Sequence, residues 1–414
     1  MKFINLLLLC SLFINNLAAQ KQFTSIKKGM WLGVITRNDG KEIRFNILTT
    51  QKGGKQLFSI LNATERLTAT SIEPKGDSLL ITLPFFASSL KVKQTSPTLL
   101  NGYYIKSYGN RNQIIPFTAY YGVKERFAVN KTSVNNITGT WDVLFIGKNN
   151  DSTKAVGNFT QSKNGKITGS FLTPTGDYRY LEGVVSGDTL QLSGFDGGYA
   201  NLFTALIKND STITGAEFYT GASGHEHWTA IKNEHASLPD EFGYTHLKMG
   251  ESTLDFKFKD TKGQWVSINE DRFKDKVVII QILGSWCPNC MDETAFLSAY
   301  YKKNKNRGIE IIGLAYERTE DFITSQKALS TFQEQFAVDY PFLITGVTVS
   351  DPQRTEKTLP QLDHIDAFPT TIFIDKKGLV RKIHTGYDGP GTGKFYDAFK
   401  KEFEELVTSL VSEK

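Results

Sequence analysis

Trp286-Cys287-Pro288-Asn289-Cys290 is the most informative short motif in this chain. It follows a continuous apolar run at residues 277–283 and precedes a segment that is typical of a helix. Two thiols separated by two residues can open and close a disulfide by passing through a mixed disulfide with another molecule. The stretch therefore predicts a junction between a strand and a helix that carries redox chemistry.

The start of a helix is a favourable position for Cys287. The unpaired N–H groups and the positive end of the helix dipole stabilise a thiolate relative to a thiol. Cys287 is the predicted nucleophile, and Cys290 is expected to be shielded and to resolve the mixed disulfide. Pro288 suits the first helical turn, where its missing N–H costs little. The sequence does not fix the reduction potential, so the redox direction stays open.

Two other uses of a cysteine pair fit this sequence poorly. A structural zinc site needs four ligands, and no second cysteine pair or suitably spaced Cys/His set accompanies Cys287 and Cys290. A purely structural disulfide across so short a loop would constrain the unfolded chain little. We therefore predict a redox-active Cys287–Cys290 disulfide, with no metal and no further cofactor.

The first 19 residues have the features of a signal peptide. Lys2 gives a positive start, residues 3–12 are apolar, and residues 17–19 form a small-residue cleavage site. We predict export, to a periplasm or cell envelope. The alternatives are lipidation of Cys10, which Leu9 disfavours, and membrane anchoring by an uncleaved leader, although its apolar run is shorter than the ~20 residues of a spanning helix.

Loss of the leader would leave Cys287 and Cys290 as the only cysteines. They are too close together to staple a large loop, so reactivity explains them best. The chain of 414 residues is longer than one core usually serves, which predicts two domains. Its net charge of +5 is not concentrated in a basic stretch, because residues 251–414 carry −3 and residues 1–250 carry +8. We therefore expect no nucleic-acid partner.

Residues 20–235 have an all-β texture of short β-branched and aromatic runs punctuated by Gly, Asn and Asp. The region also repeats itself at a spacing of about 110 residues, which predicts a duplicated β domain that forms a barrel or sandwich. Three pairs of segments match in register: 29–34 with 139–143, 54–59 with 165–170, and 76–79 with 187–190.

Residues 236–250 are a predicted linker, and residues 251–414 alternate strands and helices. This order predicts an α/β domain with a mixed central sheet. The predicted strands are 254–258, 265–268, 277–283, 309–315, 342–344, 370–374 and 379–383. The predicted helices run from the cysteines to about 304, from 320 to about 337, and from about 393 to 410.

A second motif, Phe368-Pro369 followed by an apolar strand and a turn at residues 375–378, comes later in the chain. Together with the cysteine stretch, it resembles the exported TlpA-type thiol-disulfide oxidoreductases of the thioredoxin superfamily over about residues 251–414. The resemblance implies a thioredoxin-like fold and a cis peptide bond before Pro369. It also implies that Trp286, Phe368 and Pro369 bind the substrate, with backbone groups beside the proline pairing with an extended segment.

Glu293 matches the acidic residue of the C-x-x-C-x-x-E pattern in TlpA-type proteins. Lying one helical turn from Cys290, it is expected to exchange protons during thiol-disulfide transfer. The alternative is a solvated surface glutamate, and Asp292 is expected to be exposed. Ordinary thioredoxins have a buried Asp where this chain has Gln281, so proton handling is expected to shift to Glu293 or water. Ala295 replaces a frequent family proline.

Two weaker motifs have ordinary structural explanations. His225 and His227 share one face of a predicted strand, with His235 and His246 further along the chain, but we interpret them as outward polar residues rather than metal ligands. Residues 389–393, Gly-Pro-Gly-Thr-Gly, lack the Lys-Ser/Thr ending of a phosphate loop. We expect them to start the last helix, with Thr392 as its cap.

The sequence thus predicts an exported enzyme that reduces or exchanges disulfides in other exported proteins. By family analogy a membrane-bound electron-transfer protein would regenerate its dithiol, and its oligomeric state is not predicted. A thiol peroxidase is one alternative, although no Pro-x-x-x-Thr segment precedes Cys287. A protein whose β domain binds a ligand or envelope component, with an accessory thioredoxin-like domain, is the other.

Overall fold

The computed structural model describes residues 25–84, 87–108, 111–239 and 244–413. The predicted signal peptide, with Cys10, lies outside the described residues, as do residues 240–243 of the predicted linker. Within the described residues the strands form three sheets, two of them in the N-terminal half. None of the helices described has the length and apolar character needed to cross a membrane.

The first sheet is antiparallel, and its described strands follow the order β4-β3-β2-β1-β9-β8-β7-β6-β5. Alternation decides which side chains form its core: in β9, Ile115, Phe117 and Ala119 are buried, and the residues between them are more exposed. The strands are β1 (Gly29–Thr36), β2 (Glu42–Lys52), β3 (Lys55–Asn62), β4 (Glu65–Thr68), β5 (Ser71–Lys75), β6 (Ser78–Thr82), β7 (Ser88–Ser96), β8 (Leu99–Tyr108) and β9 (Arg111–Tyr121).

The second sheet closes on itself, because β11 pairs with both β10 and β12. The result is an eight-stranded barrel, which leaves none of its eight strands with an unpaired edge. Aromatic side chains fill its interior, among them Phe145, Phe171, Phe203 and Trp228. The strands are β10 (Gly139–Ile146), β11 (Ser152–Gln161), β12 (Lys166–Thr173), β13 (Gly176–Asp177), β14 (Leu181–Ser186), β15 (Thr189–Phe195), β16 (Ala200–Asn209), β17 (Thr212–Thr220) and β18 (Gly224–Lys232).

The two β units have the same strand order. In the second unit β12 also pairs with β14, which completes the barrel, whereas the described strands of the first unit have no corresponding pairing. Equivalent tryptophans lie in their first strands. Trp31 Nε1 donates to the carbonyl of Lys27 at 3.0 Å, and Trp141 Nε1 donates to that of Ile137 at 2.9 Å. These parallels are what a duplication predicts, and duplication itself stays a prediction.

The C-terminal domain has a mixed sheet of order β20-β19-β23-β22-β21-β24-β25, in which β21 is parallel to β22 and β22 to β23. The side chains of β21 divide between two cores, as expected for a strand covered on both faces. The strands are β19 (Lys257–Asp260), β20 (Trp265–Ser267), β21 (Val277–Leu283), β22 (Ile309–Ala315), β23 (Phe342–Ile344), β24 (Thr370–Ile374) and β25 (Val380–Thr385). The helices are α1 (Pro288–Asn304), α2 (Phe322–Gln335), α3 (Arg354–Thr358) and α4 (Lys394–Ser412).

The short helix α3 is absent from the sequence prediction, because five residues are too few to show helical periodicity. The first strand of the domain was placed too early, at 254–258, whereas β19 begins at Lys257. Leu254 and Phe256 are nevertheless buried in the core, which explains their apolar character without a strand.

Candidate active site

The cysteine pair lies at the end of β21 and the start of α1. Cys287 is the N-cap of α1 and is disulfide-bonded to Cys290. The Cys287 Sγ accepts the backbone N–H of Cys290 at 3.1 Å. Cys287 is 3% exposed and Cys290 is 0% exposed. The same N–H and the helix dipole favour a negative charge on Cys287 once the disulfide is reduced.

Trp286 and the Phe368–Pro369 segment lie beside Cys287, and the binding of substrate by these residues stays a prediction. The Phe368–Pro369 peptide bond is cis, and the carbonyl oxygen of Phe368 lies 3.3 Å from the Cys287 Sγ. The indole of Trp286 packs edge-on against the Phe368 ring and donates to the carbonyl of Tyr316 at 2.9 Å. The backbone beside the proline and the Cys287 sulfur are therefore neighbours.

Glu293 is buried beneath the cysteine pair, so the alternative of a solvated surface glutamate is wrong. It is 1% exposed, and its carboxylate accepts from Thr371 Oγ1 at 2.6 Å and from Gln281 Nε2 at 2.9 Å. The same Gln281 Nε2 lies 3.4 Å from the carbonyl oxygen of Cys290. Burial, opposed by these hydrogen bonds, raises the pKa of Glu293 to about 7. Gln281 thus connects an acid that titrates near neutrality to the Cys290 turn.

Replacing Glu293 with Gln is expected to flatten the pH dependence of stability. Because burial raises the Glu293 pKa from 4.5 to about 7, the folded protein keeps a proton that the unfolded chain has released. Stability therefore falls as the pH rises through this window, by up to about 3 kcal/mol, and does not change further above it. Urea unfolding at about pH 5 and about pH 8 measures the change.

The matched control for this prediction is Glu320→Gln, which removes an exposed carboxylate. The wild type and Glu320→Gln should lose stability between the two pH values to the same extent, and Glu293→Gln should lose clearly less. An equal loss in all three proteins would show that Glu293 does not titrate in this window.

Comparison with known proteins adds to this geometry. Residues 248–399 match the Redoxin family. The C-terminal domain is thioredoxin-like. Thiol-disulfide oxidoreductase ResA of Halalkalibacterium halodurans is 29% identical over 161 residues, which are 39% of this chain and 77% of that protein. Its Bacillus subtilis counterpart is 24% identical over 144 residues, or 35% and 71% of the two chains. These relatives support thiol-disulfide oxidoreductase activity.

Solved structures are also similar to part of this chain. A thiol-disulfide oxidoreductase from Bacteroides fragilis has 18% identity and a TM-score of 0.30, and the match covers 38% of this chain and 99% of that one. A secreted thiol-disulfide isomerase from Corynebacterium glutamicum has 18% identity and a TM-score of 0.31, with coverage of 41% and 92%.

Asp292 corrects the sequence prediction, since it is not an exposed residue of the thioredoxin-like domain. Its carboxylate forms a bidentate pair with Arg179 of the barrel, with Nε–Oδ2 and Nη2–Oδ1 distances of 2.8 Å. Arg179 Nη2 also donates to Glu65 Oε1 at 2.6 Å, and Nη1 lies 3.6 Å from Asp196 Oδ2. One buried arginine therefore joins both β units to the helix that carries the cysteines.

The segment 389–393 also differs from its prediction. Residues 390–392 form a 3-10 turn, and Gly393, not Thr392, is the N-cap of α4. The Thr392 hydroxyl instead donates to the carbonyl of Gly389. The backbone N–H of Gly389 donates to Asp177 of the barrel, and Thr392 accepts from Asn158. Because these glycines have no side chain, the segment fits closely against the barrel at the point where the barrel packs on the thioredoxin-like domain.

Replacing Gly386 with Ala is expected to loosen this packing. A Cβ there would lie 2.9 Å from the backbone of Thr175 and Gly176 in the barrel, which cannot yield as a flexible side chain would. Gly378→Ala is the matched control, because Gly378 has a similar φ, +82° against +84°, but nothing within 4 Å of its Cβ position. After reduction, Cys287 should react faster with a bulky maleimide in Gly386→Ala than in Gly378→Ala. Equal rates would contradict the prediction.

The open end of the barrel faces the cysteine turn across a cavity of about 350 Å³. Sequence reasoning missed this arrangement, because no local signal links residues more than 100 positions apart. Both domains contribute to the cavity wall, the thioredoxin-like domain with Trp286, Cys287 and Phe368, and the barrel with Arg179, Phe218 and Glu226.

His225 and His227 project from the outer face of the barrel, as interpreted from the sequence. Glu217 of the neighbouring strand, which the sequence analysis did not consider, joins them, and one ligand atom from each of the three residues lies within 4.8 Å of the others. His246 is not part of this group and instead lies 3.1 Å from Asp363 of the thioredoxin-like domain. The absence of a metal at this face stays a prediction.

Proposed function

We propose that this protein is an exported thiol-disulfide oxidoreductase of the TlpA type that reduces or exchanges disulfides in other exported proteins. The observation that carries the proposal is the placement of Cys287 as a helix N-cap, beside the cis peptide bond of Phe368–Pro369. Glu293, buried below with a pKa of about 7, supports it as the proton partner of the exchange. No cofactor beyond the cysteine pair is proposed.

In the reductive direction, the enzyme dithiol is oxidised and the substrate disulfide is reduced. The Cys287 thiolate attacks one sulfur of the substrate disulfide, forming a mixed disulfide and releasing the other sulfur as a thiolate. The Cys290 thiolate then attacks the Cys287 sulfur, closing the Cys287–Cys290 disulfide and releasing the second substrate thiolate. Two electrons pass from the enzyme to the substrate, and the two substrate thiolates take up protons. A dithiol electron donor, proposed to be membrane-bound, reverses the change in the enzyme.

Glu293 has a specific role in these reaction steps. Cys290 must lose its proton to attack, and a carboxylate that titrates near neutral pH can take up a proton and return it. Gln281 has no such capacity, but its amide connects the Glu293 carboxylate to the Cys290 backbone. Trp286, Phe368 and Pro369 would hold the substrate segment against Cys287.

The proposal is tested by titrating the dithiol against dithiothreitol or glutathione buffers and by trapping partners with Cys290→Ser in the native compartment. A reversible two-electron transition and mixed disulfides with exported proteins are the expected results. The position of the transition would decide between a reductant and an oxidant. If no mixed disulfides formed in that compartment, the proposed function would be wrong.

A further inference from the structure

The barrel lies over the cysteine turn and leaves a half-open space beside Cys287. The cavity between them has a volume of about 350 Å³, which is at the low end for small-molecule sites. Such a space accommodates a small disulfide or a short flexible segment, but not the surface of a folded domain. Any disulfide that reaches Cys287 in this arrangement therefore also meets the residues at the mouth of the barrel.

Glu226 is one of four charged residues that the barrel contributes to the wall of this space, the others being Asp177, Arg179 and Asp196. It lies on β18 directly opposite Phe218 of β17, whose side chain is part of the barrel interior. Residues directly opposite each other in an antiparallel pair lie on the same face, so Glu226 also points inward. Within the described part of the chain, its carboxylate has no hydrogen-bond or ion-pair partner. An unpaired, partly buried carboxylate at the end of an apolar barrel favours a cation nearby.

Arg179 lies on the same wall, and its positive charge is already paired with carboxylates. It is 5% exposed, and two of its guanidinium nitrogens are bonded to Glu65 and Asp292. The third, Nη1, is buried without a hydrogen-bond acceptor among the described residues, although it lies 3.6 Å from a carboxylate oxygen of Asp196. Because Nη1 is inaccessible to solvent, Arg179 forms part of the wall, and the Glu226 carboxylate is the group left to select a ligand.

The geometry points to a specificity site for disulfides that carry a cationic group next to the reacting sulfur. Glu226 would pair with the cation. A lysine-flanked cysteine in a flexible protein segment and a small aminothiol disulfide share this chemistry. The inference rests on the proposed function and assigns substrate selection to the barrel.

The proposed specificity site is tested by reacting matched disulfides with the reduced Cys290→Ser enzyme, whose reaction stops at the mixed disulfide. One pair is Ala-Lys-Cys-Lys-Ala and Ala-Gln-Cys-Gln-Ala, each activated with thionitrobenzoate, whose release is followed by absorbance. The other pair is cystamine and bis(2-hydroxyethyl) disulfide, for the small-molecule source, with mixed-disulfide formation followed by mass spectrometry. For each pair, the ratio of the two reaction rates with the enzyme is divided by the same ratio measured with free dithiothreitol. This division corrects for differences in the intrinsic reactivity of the two disulfides. We expect about a fivefold preference for the cationic member of at least one pair.

Three further variants, each combined with Cys290→Ser, decide the outcome. Glu226→Gln should reduce the preference to about one, Glu226→Asp should retain it, and Glu217→Gln, which removes a carboxylate from the outer face of the adjacent strand, should leave it unchanged. The pair that shows the preference identifies the source of the ligand. A preference that survives Glu226→Gln, or no preference without that substitution, would overturn the inference. Failure to react with any of the four disulfides would instead overturn the oxidoreductase function itself.

Discussion

Cys287→Ser is expected to lose disulfide reductase turnover by a factor of about a thousand or more, and Cys290→Ser is expected to stop after one mixed disulfide. A serine hydroxyl does not ionise near neutral pH, so the helix N-cap position has no nucleophile when the Cys287 sulfur is replaced, and the Cys290 thiol is 0% exposed. Cys290→Ser keeps the N-cap thiolate and the backbone N–H that stabilises it. That variant therefore performs the first half of the exchange and lacks only the resolving thiolate.

Insulin reduction with dithiothreitol measures the turnover of both variants, and mass spectrometry of the intact protein detects the mixed disulfide. The two variants serve as controls for each other, because each removes one sulfur atom from the same turn. Stable mixed disulfides are expected with Cys290→Ser and not with Cys287→Ser. The reverse pattern would assign the nucleophile to Cys290 and contradict the assignment made from burial and capping.

Arg179→Met is expected to destabilise the folded protein by about 3–5 kcal/mol, because it leaves the buried carboxylates of Glu65 and Asp292 without their counter-charge. Burial already raises the pKa of Glu65 to about 7, against the opposing effect of Arg179, and burial also raises the pKa of Asp292. Without the arginine both carboxyl groups should bind protons more readily. The loss of stability should therefore be larger at about pH 8 than at about pH 5.

Urea unfolding followed by tryptophan fluorescence measures this loss, since Trp286 lies at the interface and Trp141 and Trp228 lie within the barrel. Arg44→Met is the matched control, because Arg44 forms a half-exposed pair with Glu42. Such pairs contribute about 0–1 kcal/mol. Equal losses in the two variants would show that the Arg179 cluster does not hold the domains together.

Local sequence was sufficient for much of the cysteine site. The apolar run 277–283 forms β21, and Cys287 is the N-cap of α1, whose first residue, Pro288, is compatible with a first helical turn. The bond before Pro369 is cis, as the resemblance implied. Each of these features depends on residues that are close in the chain or on a short motif that resembles one in a known family.

The surroundings of the two acidic residues after Cys290 could not be predicted from local sequence. Glu293 and Asp292 are adjacent on one helix, and sequence reasoning treated both as possible surface groups. Glu293 is buried because Thr371 and Gln281 reach it from neighbouring strands. Asp292 pairs with Arg179, which is 113 residues away in the chain. Helical spacing gives the direction of a side chain, but it does not reveal which domain packs there.

The sequence alone is sufficient to predict the cysteine pair at a strand–helix junction, the β texture of the first half and the alternating strands and helices of the second. These features follow from hydrophobic periodicity and short motifs, which act over a few residues. The position of the barrel mouth over Cys287, with Arg179 and Glu226 in the shared wall, is evident only from the folded chain. That arrangement depends on packing and charge pairing between residues far apart in the chain, for which a single sequence carries no local signal.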